Sequence, residues 1–182
     1  MGLRDALIKM NRLKLFTDGS VNPKTRIGFG AALFVSPALV SQALASFDNL
    51  KSQIKTCRFE NTSSTRLEIQ TLLWALGDID KPDTKVVMYT DCQNLLGLRS
   101  RRTRLEKNNY QSSKNQLLKN ADLYQQFFQL CDRIDVEFIK VDGHKASALR
   151  NENDQLFALV DKACRKALRD DNCKPAIPLF LC

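Results

Sequence analysis

"KVVMYTD", residues 85–91, is a continuous apolar run that stops at an acid. It reads as a central strand buried on both faces, and a strand of that kind needs helices packed above and below it. The surrounding chain has them. Within 64–79, Ile69, Leu72, Leu73 and Leu76 recur at i, i+3, i+4, i+7, the spacing of an amphipathic helix. A short helix is expected at about 92–98 and another over 121–131, with Leu123, Phe127, Leu130 and Cys131 facing inward. The last helix, about 153–169, carries Leu156, Leu159, Val160, Ala163, Cys164 and Ala167 on one stripe. Further strands are expected at 13–18, at "RIGFGAALFV" (26–35), within 51–60, and at "IDVEFIKV" (134–141). Gly28 and Gly30 either weaken the second strand or allow close approach to it. Residues 37–50 read as a loop or hairpin. The order is an antiparallel meander followed by crossovers, which predicts an α/β fold: a five-stranded mixed sheet flanked by helices.

The chain has 182 residues, enough for one domain with a sizeable core, and 43% of them are hydrophobic, an ordinary globular share. A single domain over 1–182 is expected, with its core at about 13–168 and an irregular tail at about 170–182. No apolar run is long enough to cross a bilayer, and the start lacks a signal peptide's apolar core. The expectation is a soluble, cytoplasmic protein with no membrane partner. The six cysteines form no CxxC pair and His144 is the only histidine, which argues against a disulfide framework and against a zinc site. Cys131 and Cys164 fall on apolar helix faces and read as core residues. The net charge of +8 is clustered. Arg99, Arg101, Arg102, Arg104, Lys107, Lys114 and Lys119 stand against Glu106 alone, a net +6. Such a segment is either a solvated helix face or, as the single sign favours, a contact for a phosphate backbone.

"LFTDGSVNP" (15–23) places Asp18 at the end of the first strand. Asp, Gly, Ser, Asn and Pro make turns, so Asp18 is either a turn residue or a carboxylate presented at a strand end. Three other acids bear on the choice. Asp91 ends the central strand, where it can also cap the following helix. Glu68 sits early in the 64–79 helix, where it either lies at the surface, beside Arg66, or points along the sheet. Asp154 begins the last helix, three residues after a candidate Asn151 N-cap, where the helix dipole favours an acid. Four converging carboxylates would repel one another unless cations neutralised them. Two Mg²⁺ ions about 3.5–4 Å apart can activate a water and stabilise a leaving oxygen in phosphodiester cleavage.

These residues carry a resemblance. The chain resembles type 1 ribonuclease H in "LFTDGS" (Asp18), "TRLEIQTLLWAL" (Glu68), "YTDCQ" (Asp91, Gln93), and "DGHKASALRNENDQLFALVDKA" (Gly143, His144, and Asp154 ten positions after the histidine). The likeness spans about residues 13–168. It implies the ribonuclease H-like fold, with Asp18, Glu68, Asp91 and Asp154 holding two Mg²⁺ or Mn²⁺ ions and His144 assisting proton transfer or product release. It implies an endonuclease that cuts the RNA strand of RNA–DNA hybrids and leaves 5′-phosphate ends, working as a monomer. Gly19, Ser20, Ser64 and Gln93 would contact substrate, and Arg99, Arg101, Arg102 and Arg104 occupy the stretch that grips the DNA strand. Some features depart from the family pattern. Ser63-Ser64-Thr65 stands where the family commonly has Thr-Asn-Asn, a set of shorter side chains for contacting the hybrid. The loop after the first strand has fewer glycines and gains Lys24 and Arg26. The alternatives are a nucleic-acid-binding module without catalysis, or a nuclease of the same fold with another substrate preference.

Overall fold

The computed structural model describes residues 12–36, 47–77, 79, 85–142 and 145–172. Five strands form one sheet: β1 (Arg12–Asn22), β2 (Ile27–Val35), β3 (Lys55–Phe59), β4 (Lys85–Thr90) and β5 (Val136–Lys140). Their order across the sheet is β3-β2-β1-β4-β5. β1 pairs antiparallel with β2 and parallel with β4, while β2–β3 is antiparallel and β4–β5 parallel. This is the mixed sheet expected, with the switch in strand direction at β1. The helices are α1 (Phe47–Ser52), α2 (Ser64–Gly77), α3 (Gln93–Leu96), α4 (Arg102–Lys107), α5 (Ala121–Arg133) and α6 (Glu152–Asn172), with short 3-10 turns at Arg99–Arg101 and Ser147–Leu149. Among the described residues, no helix is long and apolar enough to cross a membrane.

The sheet separates two cores, because successive strand side chains point to opposite faces. Leu15, Ala32, Val86, Met88 and Val136 meet Ile69 and Leu72 of α2 and Phe127 and Leu130 of α5 on one face. Phe16, Ala31, Leu33, Val87 and Tyr89 meet Leu156, Val160 and Cys164 of α6 on the other, with Leu50 of α1. Phe16 and Tyr89 stack with ring centroids 4.6 Å apart. β4 is thus buried on both sides, as its apolar run predicts.

Three expectations are corrected. β1 does not stop at Asp18; it continues to Asn22 because the hairpin to β2 closes only beyond that point, where the Arg26 N–H donates to Asn22 O at 2.8 Å. Asp18 ends only the parallel pairing, lying two residues beyond the last β1–β4 pair, Phe16 with Tyr89. Residues 47–50 of the expected loop or hairpin are helical, in a helix that runs on through Ser52, and residues 37–46 lie outside the described residues. The last helix runs through Asn172, into the stretch read as an irregular tail; residues 173–182 lie outside the described residues.

The approach of α2 to the sheet depends on glycine. A Cβ on Gly19 would lie 2.9 Å from the Leu67 side chain, and one on its β2 partner Gly30 would lie 2.1 Å from Thr71 Oγ1. Without those atoms the start of α2 rests directly on β1 and β2, and Glu68 arrives beside Asp18.

Candidate active site

Three of the four expected acids meet. Asp18 of β1, Glu68 of α2 and Asp91, just past β4, line one cavity of about 440 Å³ where the pairing of the interior strands β1 and β4 ends. The register explains the first pairing: Asp18 and Asp91 each lie two residues past the last parallel pair of adjacent strands. Gly19, Ser20, Ser64 and Thr65 line the same cavity, as do Cys92 and Asn94. Gln93 is exposed beside it, at the first turn of α3.

The fourth acid is not the one expected. Asp154 accepts from Lys145 Nζ at 2.7 Å and from the Asn151 N–H at 2.9 Å, while its own N–H donates to Asn151 Oδ1 at 2.9 Å. That reciprocal bonding closes the N-terminus of α6, and the Lys145 ammonium holds the Asp154 carboxyl below the usual range. Asp154 does not line the cavity. Asp161 does, with Arg165 paired to it at 2.6 Å. The two acids share a helix face but stand seven residues apart, about 10.5 Å along the axis. Only the later one comes level with Asp18. A signal for it existed: Asp161 follows Val160 on the inward stripe and precedes Cys164 by one turn, an unusual place for an acid. His144 and Gly143 lie outside the described residues.

Electrostatics set these carboxylates apart. Asp18 and Glu68 are each only 8% exposed. Burial, then the charges of Asp91 and Asp161, push the Asp18 carboxyl up to about 7, against a hydrogen bond from the Gly19 N–H to Oδ1 at 2.8 Å. Glu68 rises well above the carboxylate range, first through burial and then through Asp18 and Asp91. Its Oε2 is buried with no hydrogen-bond partner among the described residues. An orphaned carboxylate oxygen among other carboxylates lacks a positive charge, and a hard divalent cation with oxygen preference supplies it. Asp18, Asp161 and Cys164 offer ligand atoms that all lie within 4.8 Å of one another, a spacing suited to one ion. These residues fit a divalent metal.

Beside this cavity, across the first turn of α2, lies a second of about 270 Å³ lined by Arg26, Asn61, Thr62, Ser63, Arg66 and Lys119. The basic segment 99–119 is less available than its composition implies. Arg99 Nη1 donates to Val136 O at 2.7 Å, and Arg101 donates to Gly97 O at 3.0 Å and Asn94 O at 2.8 Å. Arg102 forks onto Asp132, pairs with Glu106 and lies 5.2 Å over the Phe128 ring. Arg99 ties this region to β5 and Arg102 ties it to α5, while Arg101 bonds to carbonyls of α3 and the turn after it, so all three guanidinium groups are engaged within the fold. Arg104 is exposed and has no partner among the described residues.

The chain is similar to several known proteins. A ribonuclease H of Caldicellulosiruptor saccharolyticus is 26% identical over 164 residues, taking in 86% of this chain and 100% of that protein. A ribonuclease HI of Synechocystis sp. is 25% identical over 150 residues, 80% of this chain and 85% of that one. Among solved structures, the RNase H domain of PFV superposes with a TM-score of 0.62 at 16% identity, covering 85% of this chain and 92% of that domain. A foamy viral protease-reverse transcriptase in complex with RNA/DNA hybrid gives 0.65 at 12% identity, covering 87% of this chain and 20% of that one. The RNase H family profile matches residues 10–168, and the chain belongs to the type 1 RNase H family of enzymes.

Proposed function

We propose that the protein is a metal-dependent endonuclease that hydrolyses the RNA strand of RNA–DNA hybrids, with Asp18, Glu68, Asp91 and Asp161 as the residues that hold two Mg²⁺ or Mn²⁺ ions. The observation that carries this is the convergence of four carboxylates on one open cavity, one of them with an orphaned buried oxygen. Bound there, the cations supply Lewis acidity and an activated water for in-line displacement at phosphorus. The chain's own residues do the rest. The Gly19 N–H fixes the rotamer of Asp18 through Oδ1. Arg165 steadies Asp161 at the cavity wall. Ser20, Ser64 and Thr65 line the cavity with hydroxyls that suit a ribose 2′-hydroxyl, the group that marks RNA. The neighbouring cationic cavity suits a phosphate of the second strand, held across the start of α2. Asp154 is a capping residue in this reading, and His144 keeps the role in proton transfer or product release that the family likeness implies.

The test compares cleavage of a labelled hybrid, duplex DNA and duplex RNA, with Mg²⁺, with Mn²⁺ and with chelator. The expected result is metal-dependent cutting of the RNA strand in the hybrid alone, leaving 5′-phosphates. Tight hybrid binding without cutting under any metal would make the protein a binding module instead.

A further inference from the structure

Cys164 reads from sequence as an ordinary core residue, yet its thiol faces Asp18. Its Sγ lies 3.6 Å from Asp18 Oδ2 and 3.1 Å from the carbonyl oxygen of Asp161. We infer that Asp18, Asp161 and Cys164 form a mixed oxygen and sulfur seat at the α6 side of the cavity. It takes a borderline or soft divalent cation, Zn²⁺ or Cd²⁺, with Sγ as a direct ligand.

Geometry supports the seat. A tetrahedral zinc with sulfur at about 2.3 Å and carboxylate oxygen at about 2.1 Å holds those two ligands roughly 3.6 Å apart. The Sγ to Oδ2 separation is 3.6 Å, and the Asp161 carboxylate completes a set within 4.8 Å. Three protein ligands leave the fourth tetrahedral position for a water. Glu68 lines the same cavity as Asp18 and Asp161, and its buried Oε2, without a hydrogen-bond partner among the described residues, is a second mark of a place short of positive charge. Mg²⁺ gains nothing from sulfur, whereas thiolate adds affinity for softer ions. Binding breaks the S–H bond: the proton leaves to solvent, the sulfur's electron pair goes to the metal, and no oxidation occurs. The seat does not depend on hydrolysis. Its consequence, inhibition of the Mg²⁺-supported reaction by Zn²⁺, rests on the function proposed above.

The experiment titrates the metal-free full-length protein with Co²⁺ and Cd²⁺ and follows thiolate-to-metal charge-transfer absorption. Wild type is expected to show a stoichiometric band. Cys164→Ser and Cys164→Ala, checked for folding by circular dichroism, are expected to lose it, and Cys92→Ser to keep it. A band absent from wild type, surviving in both folded position-164 variants, or lost in Cys92→Ser overturns the seat. In hybrid cleavage with Mg²⁺, each variant measured against its own uninhibited rate, Cys164→Ala should need at least about tenfold more Zn²⁺ for half-inhibition. Equal sensitivity overturns the inhibitory role. A charge-transfer band without hydrolysis in wild type leaves the seat standing and removes the nuclease reading.

Discussion

Asp161 reaches the cavity and Asp154 does not because two helical turns separate them, while α6 is positioned along the sheet by the core that Leu156 and Val160 share with Phe16 of β1. The two acids therefore have opposite expected phenotypes. Asp161→Asn should lower Mg²⁺-dependent hybrid cleavage by more than about a hundredfold with little change in thermal stability, since it removes one charge and keeps the shape. Asp91→Asn should do the same. Asp154→Asn should leave cleavage within severalfold and cost about 1 kcal/mol in urea unfolding, the worth of a helix cap with its ion pair. If Asp154→Asn silences a folded enzyme while Asp161→Asn stays active, the assignment of the fourth acid is wrong.

At the scale of elements, two contacts decide how the site is built. The seating of α2 on the hairpin requires that nothing project from Gly30, whose Cβ would meet Thr71 Oγ1 at 2.1 Å. Gly30→Ala should destabilise by about 1–3 kcal/mol, as overpacking does, and should weaken cleavage by displacing Glu68. A denaturation midpoint equal to wild type would show that α2 does not rest on this strand. The α3–α4 region is the second case. Arg102 is held by Asp132, Glu106 and Phe128, whereas Arg104 is exposed. Fluorescence anisotropy of a hybrid over a salt series should show Arg104→Ala reducing the salt slope by about one unit. Arg102→Ala should leave the slope nearly unchanged and lower stability instead. The reverse pattern would mean that Arg102 exchanges its internal partners for phosphate.

For the whole molecule, the buried carboxylates couple folding to pH and to metal. The Asp18 carboxyl titrates at about 7 in the fold against an ordinary 3.8. Between those values the native state holds a proton that the unfolded chain has released, so stability falls as pH rises through the window. Glu68 acts in the same direction. In chelator, the melting temperature of wild type relative to Asp18→Asn should therefore drop from acid to neutral pH. Mg²⁺ should raise it most at the neutral end, where the carboxylates are charged and the cation replaces their lost solvation. A pH-independent difference between the two proteins would show that Asp18 is not desolvated in solution.

Local patterns sufficed for much of this protein. Apolar runs and helical spacing are written residue by residue, so the five strands, the order of the main helices and the motifs around Asp18, Glu68 and Asp91 were legible in the sequence, and the family with them. The strand ends were less so: β1 outruns Asp18 because a partner strand, not its own residues, decides where pairing stops. Tertiary structure alone chose between two acids on one face of α6, since that depends on how far the helix slides along the sheet before its apolar stripe is buried. It alone showed Arg99, Arg101 and Arg102 bonded within the fold, and put the Cys164 thiol against a carboxylate. Periodicity reports which way a side chain faces. What it meets there depends on residues far away in the chain.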